Sequence, residues 1–94
     1  MTQNQVISKE KHVKAGALKL EYRLLEANER WNGEEVTLYS IFAGVENTAN
    51  GEHEEKTVPN ITSDKAFAEN LFDLIARGKV TPITLTDVIS DFID

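Results

Sequence analysis

The sequence contains no cysteine, which excludes disulfides and thiolate zinc sites. Its apolar runs are far too short to cross a bilayer as helices. The opening stretch MTQNQVISKEKHVK has no apolar segment of signal-peptide length. A cytoplasmic location without membrane contact is therefore expected. Basic residues are scarce: ten Lys and Arg stand against sixteen Asp and Glu, a formal net charge of −6. The imbalance is uneven, since residues 1–30 carry a net +2 and residues 31–94 a net −8. Nucleic-acid binding needs clustered Lys and Arg, so an acidic body argues against it. Also missing are a glycine-rich phosphate loop, G-x-S-x-G, H-E-x-x-H, C-x-x-C and an EF-hand loop. Neither catalysis nor a cofactor is expected.

What is present is most legible between Val58 and Ile93. Phe67, Leu71, Leu74 and Ile75 fall at i, i+4, i+7 and i+8, one face of a helix. Ala68 and Phe72 widen that stripe. Thr62 or Ser63 suits the N-cap, where a hydroxyl accepts from a free backbone N–H. Asp64 then sits at the positive end of the helix dipole. Arg77 suits the last turn, and Gly78 the left-handed position beyond it. The restart is Thr81-Pro82, with proline's preset φ at a first helical position; Thr84-x-x-Asp87 offers a start one turn later. Leu85, Val88, Ile89 and Phe92 repeat the helical stripe. Helices at about 63–77 and 82–93 are too short to persist alone and need a sheet to cover.

Upstream the period changes to two. Leu18, Leu20, Tyr22 and Leu24 alternate with Lys19, Glu21 and Arg23, a half-buried strand. Asn32-Gly33 is a strong hairpin signal because both residues tolerate positive φ. In the next strand Val36, Leu38 and Phe42 lie on one face, and Tyr39, Ile41 and Val45 on the other. A two-residue loop pairs Leu24 with Ile41, Tyr22 with Ala43 and Leu20 with Val45, placing Tyr39 and Ile41 toward the core. A loop one residue longer reverses every side chain. Asn50-Gly51 repeats the turn signal, and the Glu-rich strand that follows suits a sheet edge. Pro59 is expected to end it.

The expected fold is α+β: a three-stranded antiparallel meander, at about 17–27, 35–45 and 52–58, with both helices on one face. Residues 1–15 read as a polar, partly disordered leader whose first residues fray, and 16–94 as one small domain. With 40% hydrophobic residues the core is modest.

Candidate chemistry is thin. His53 and Glu55 share a strand face and offer two metal ligands, but a zinc site wants three or four; a solvated edge strand explains the pattern more simply. Glu69/Asp73 and Asp87/Asp91 are i, i+4 carboxylate pairs opposite the apolar stripes, where a solubilising face is the plainer explanation. Trp31 beside a turn is a candidate anchor, tryptophan being enriched at binding hot spots. Trp31, Glu69, Asp73, Asp87 and Asp91 therefore form the candidate interaction surface.

Val58, Asn60, Ile61, Thr62 and Asp64, followed by the run from Thr81 to Ile93, carry a family pattern. In these residues the chain resembles a family of short domains of unknown function from clostridial-type Gram-positive bacteria. Glu21-Tyr22-Arg23-Leu24 and Tyr39-Ser40-Ile41 match its strands more loosely. The resemblance implies a small single domain and assigns no activity, substrate or site. The functional expectation is a non-catalytic protein-interaction or regulatory module with a protein partner or self-association. The alternative is a small-molecule or metal-binding domain with its site between sheet and helices, near Tyr22, Tyr39 and Phe72.

Overall fold

A computed structural model describes residues 5–93. The chain runs through four strands, β1 (Gln5–Ala15), β2 (Leu18–Trp31), β3 (Glu34–Asn47) and β4 (His53–Thr62). Two helices follow, α1 (Lys65–Arg77) and α2 (Pro82–Ile93). The strands form one antiparallel sheet in the order β1-β2-β3-β4. The expected meander is thus present, with four strands rather than three.

The added strand comes from the segment read as a polar leader. From Gln5 onward it pairs with β2 along its whole length, Gln5 opposite Ala27 and Ala15 opposite Leu18. The turn between them is Gly16-Ala17, with Gly16 at φ 61. A glycine with positive φ at the first central position is the type II′ hairpin signature. Edge strands tolerate polar composition because one side of their backbone faces water. That tolerance hid β1 behind its lysines. The fraying expected of the first residues falls on 1–4, outside the described residues.

The β2–β3 hairpin follows the two-residue turn. Asn32 and Gly33 both take positive φ, 52 and 82, and Leu24 pairs with Ile41, Tyr22 with Ala43 and Leu20 with Val45. Tyr39 and Ile41 accordingly face the core.

β4 does not stop at Pro59. Between Ile41↔Val58 and Tyr39↔Thr62 the register shifts, so Pro59, Asn60 and Ile61 stand opposite Ser40 alone. Proline is compatible with an edge strand at such a bulge. Asn60 takes φ 53, and its N–H donates to Ser40 Oγ at 3.0 Å. The buried serine thereby gains a partner.

Because β4 continues to Thr62, the N-cap of α1 moves to Asp64. Its carboxylate accepts from the Phe67 N–H at 3.1 Å. Thr62 Oγ1, expected to cap, instead accepts from the Asp64 N–H at 3.0 Å. At the other end Gly78 keeps a right-handed conformation, φ −79, and Lys79 takes the left-handed one, φ 52. The Val80 N–H reaches the Ile75 carbonyl at 3.2 Å and the Lys79 N–H that of Ala76 at 3.3 Å. This is the Schellman arrangement, with Lys79 where glycine is usual. Of the two expected starts for the second helix, Pro82 is the one used.

Both helices pack on one face of the sheet. The core joins Leu20, Tyr22 and Leu24 of β2 and Tyr39, Ile41 and Ala43 of β3 to Leu71, Phe72 and Ile75 of α1 and Leu85 and Ile89 of α2. Leu74 and Phe92, placed in the stripes by spacing, lie at the rim, 39% and 37% exposed. There they line a groove with Lys11 and Arg77, and the Phe92 ring rests 5.2 Å from that of Phe67.

Candidate interaction surface

Placing both helices on one side leaves the opposite side of the sheet without a helical cover. Strand alternation determines what that open face carries. Row by row, the register assigns to it Trp31 with Glu34, Glu29 with Val36, and Gln5, Ala27 and Leu38. Next come Ile7, Leu25 and Ser40, then Glu10, Arg23, Phe42 and Thr57. His12, Glu21, Gly44 and Glu55 follow, and Lys14, Lys19, Glu46 and His53 close the series.

The two ends of this face differ chemically. Toward the β2–β3 turn apolar side chains predominate, with Gln5, Glu29 and Glu34 interspersed among them: Trp31 is 69% exposed and Ile7 50%, and Leu25, Val36 and Leu38 are half-buried. Toward the other end it is charged. The second apolar set noted in β3, Val36, Leu38 and Phe42, therefore belongs to a surface and not to the core.

A polar cluster lies midway. Arg23 Nε donates to Glu10 Oε2 at 3.1 Å, its Nη2 contacts Glu21 Oε2, and its guanidinium sits 5.0 Å from the centre of the Phe42 ring. Partial burial works against the guanidinium charge, but the hydrogen bond that Arg23 donates to Glu10 and the charge of Glu21 outweigh it and raise the Arg23 pKa. Gly44 leaves room for this stacking: a Cβ there would stand 3.2 Å from Phe42 Cζ.

Glu10, His12 and Glu21 also bring three metal-ligating atoms together within 4.8 Å. Arg23 already occupies both carboxylates. A cation there would have to displace a fixed positive charge, so the arrangement is an ion-pair network first. His53 Nε2 lies 2.8 Å from Glu55 Oε2 on the exposed edge, the two-ligand pair expected from alternation.

The structure separates the five residues singled out in the sequence. Trp31 stands on the open face at the hairpin end, whereas the four acidic residues ride on the helices. Asp73 is tied to Lys9 of β1 at 3.4 Å. Glu69 is half-buried, and its charge, with that of Glu26, adds to burial in raising the Tyr39 pKa. Asp87 and Asp91 are exposed one turn apart on α2.

Between sheet and helices, Tyr22, Tyr39 and Phe72 are closed into the core. Tyr22 Oη donates to the Val80 carbonyl at 2.8 Å, and burial pushes its pKa up to about 12. A recess of about 220 Å³ lies instead at the sheet end beside α2, lined by Leu18, Val45, His53, Thr81 and Ile83 among others. Among the described residues no helix is long and apolar enough to cross a membrane.

Comparison with known proteins adds one match. The model of a family of unknown function (DUF6514) covers residues 2–94. No curated protein matches, and no solved structure does.

Proposed function

We propose that this chain, which belongs to the DUF6514 family of unknown function, is a protein-interaction module that acts by binding rather than by catalysis, through the open face of its sheet. One observation carries this: the apolar end of that face, Ile7, Leu25, Trp31, Val36 and Leu38, is left uncovered by either helix. Contiguous exposed apolar surface rimmed by polar groups marks interaction sites in soluble proteins. An exposed tryptophan at its margin suits an anchor. The charged rows beside it supply a polar rim and orientation.

Site-specific photocrosslinking in the native host tests the proposal. A photoreactive phenylalanine analogue is placed at Trp31 or Leu38 on the open face, and at Asp87 on α2 as the control. Protein adducts should form from the first two positions and not from the third. Equal adducts from all three, or none from the open face, would refute it.

A further inference from the structure

We infer that the occupant of the open face is a basic amphipathic helix of a partner protein, about four turns long, laid on the apolar end with its lysines or arginines toward the glutamates there. The inference rests on the open-face proposal above and names the chemistry of its partner. Charge and dimensions support it separately.

The open face carries six glutamates, Glu10, Glu21, Glu29, Glu34, Glu46 and Glu55. Against them stand Lys14, Lys19 and Arg23, so the face is net −3 with its histidines neutral. How the charges are distributed along the strands matters more than the total. All three cations lie in the charged half, where Glu10 and Glu21 already hold Arg23. Among the described residues the apolar end has no cation, and its charged groups are Glu34 beside Trp31 and Glu29 beside Val36. A ligand whose apolar side meets Ile7, Leu25 and Leu38 therefore gains by carrying positive charge at its margin and loses by carrying negative charge. At this end a second copy of the face would bring only carboxylates against carboxylates. The helices of a second copy suit it no better, since they carry Glu69, Asp73, Asp87 and Asp91. Nucleic-acid phosphates and anionic lipids need the opposite sign.

The dimensions point to a helix. From Trp31 to Leu25 the patch runs about 20 Å along β2, at about 3.3 Å per residue. Across β1, β2 and β3 it is about 10 Å wide, two spacings of about 4.8 Å. An α-helix with its side chains is about 10–12 Å across, and 20 Å of it holds about 13 residues. That is the length of α1, which packs on the other face of β2 and β3. The patch thus has the footprint of one helix, smaller than the surface a globular partner of standard size covers. A helix lays an apolar stripe on such a surface and keeps its charges at the margin.

Trp31 is the chain's only tryptophan and stands 69% exposed on this patch, so its fluorescence reports occupancy. The probe is a two-heptad peptide of leucine and lysine, with leucines at i, i+3, i+4 and i+7. Titrated into the full chain, it should shift Trp31 emission to the blue and shield it from acrylamide. A leucine–glutamate peptide of the same pattern should bind at least about tenfold more weakly. So should a leucine–lysine peptide of equal composition in strict alternation, which lacks the helical stripe. Glu29→Gln with Glu34→Gln should weaken binding of the first peptide about tenfold, through loss of two charge pairs. Asp87→Asn with Asp91→Asn, the same change in net charge on α2, should leave it within about twofold.

Equal loss from the two double variants overturns the inference, because binding would then follow net charge alone. Equal binding of the lysine and glutamate peptides, or of the helical and alternating ones, overturns it as well. Shielding of Trp31 on concentrating the chain by itself would give the face to a second copy, with the same consequence. If no peptide shields Trp31 while crosslinks still form from the open face, the basic helix falls and the open-face proposal stands.

Discussion

Tyr22 makes the stability of this fold sensitive to alkali. It is fully buried, its hydroxyl donates to the Val80 carbonyl at 2.8 Å, and burial raises its pKa from 10.0 to about 12. Burial disfavours the phenolate, so the unfolded chain loses this proton at lower pH than the folded one. Below the unfolded value both states are protonated and the contribution to stability is intact. Between the two values the unfolded state alone ionises, and stability falls as pH rises. A displacement of this size corresponds to about 2–3 kcal/mol at about 1.4 kcal/mol per pH unit. Small domains have only about 5–15 kcal/mol in total, so the loss is measurable. Tyr22→Phe removes the titration along with the hydrogen bond. At neutral pH it should cost about 1 kcal/mol; near the top of the range it should be as stable as the wild type or more so. Urea denaturation at a series of pH values, with phenolate absorbance followed in parallel, measures both curves. A residual slope in the variant is expected from Tyr39, whose pKa burial also raises. If the wild type and Tyr22→Phe lose stability in parallel through this range, the assignment to Tyr22 is wrong.

Three further outcomes can be checked by chemical or thermal denaturation. Leu71→Ala should cost about 2–5 kcal/mol because Leu71 is fully enclosed. Leu74→Ala, on the same helix at the exposed rim, should cost well under half of that. Asp64→Ala should lose about 0.5–2 kcal/mol through its capping bond to Phe67 N–H, and Ser63→Ala should be nearly silent. Lys79→Gly should be neutral to stabilising by up to about 1 kcal/mol, since Lys79 rather than Gly78 holds the left-handed position; a loss larger than that would point to a contact of the lysine stem that outweighs its backbone strain.

The parts of this fold that were legible in the sequence are those set by local chemistry. Asn32-Gly33 closes a two-residue turn, and such a turn dictates the pairing of everything on either side, so Leu24↔Ile41 followed from it. Pro82 could open a helix and did. β1 was missed because its identity lies in backbone bonds to β2, which any side chain permits; Gly16-Ala17 was the overlooked sign. Pro59 misled because a bulge at a sheet edge removes the demand for its missing N–H. The cap at Asp64 was misplaced for a related reason: where β4 ends depends on its pairing with Tyr39, not on the residues nearest the helix. The open face was half-legible. Val36, Leu38 and Phe42 stood out as a second apolar set in β3, but which set was inward depended on the register.

The sequence by itself determined the two amphipathic helices, the turn of the central hairpin, and the acidic, cysteine-free character of the chain; which of two registers that hairpin takes was settled by the structure. These depend on spacing, turn geometry and composition, which act over a few residues. Only the tertiary structure decided that the sheet has four strands and that Trp31 stands on a different face from the acidic helix residues. It also decided that one face carries an end rich in apolar side chains beside a charged end. Those features arise when residues far apart in the chain are brought into one row by cross-strand pairing, and no short stretch contains that information.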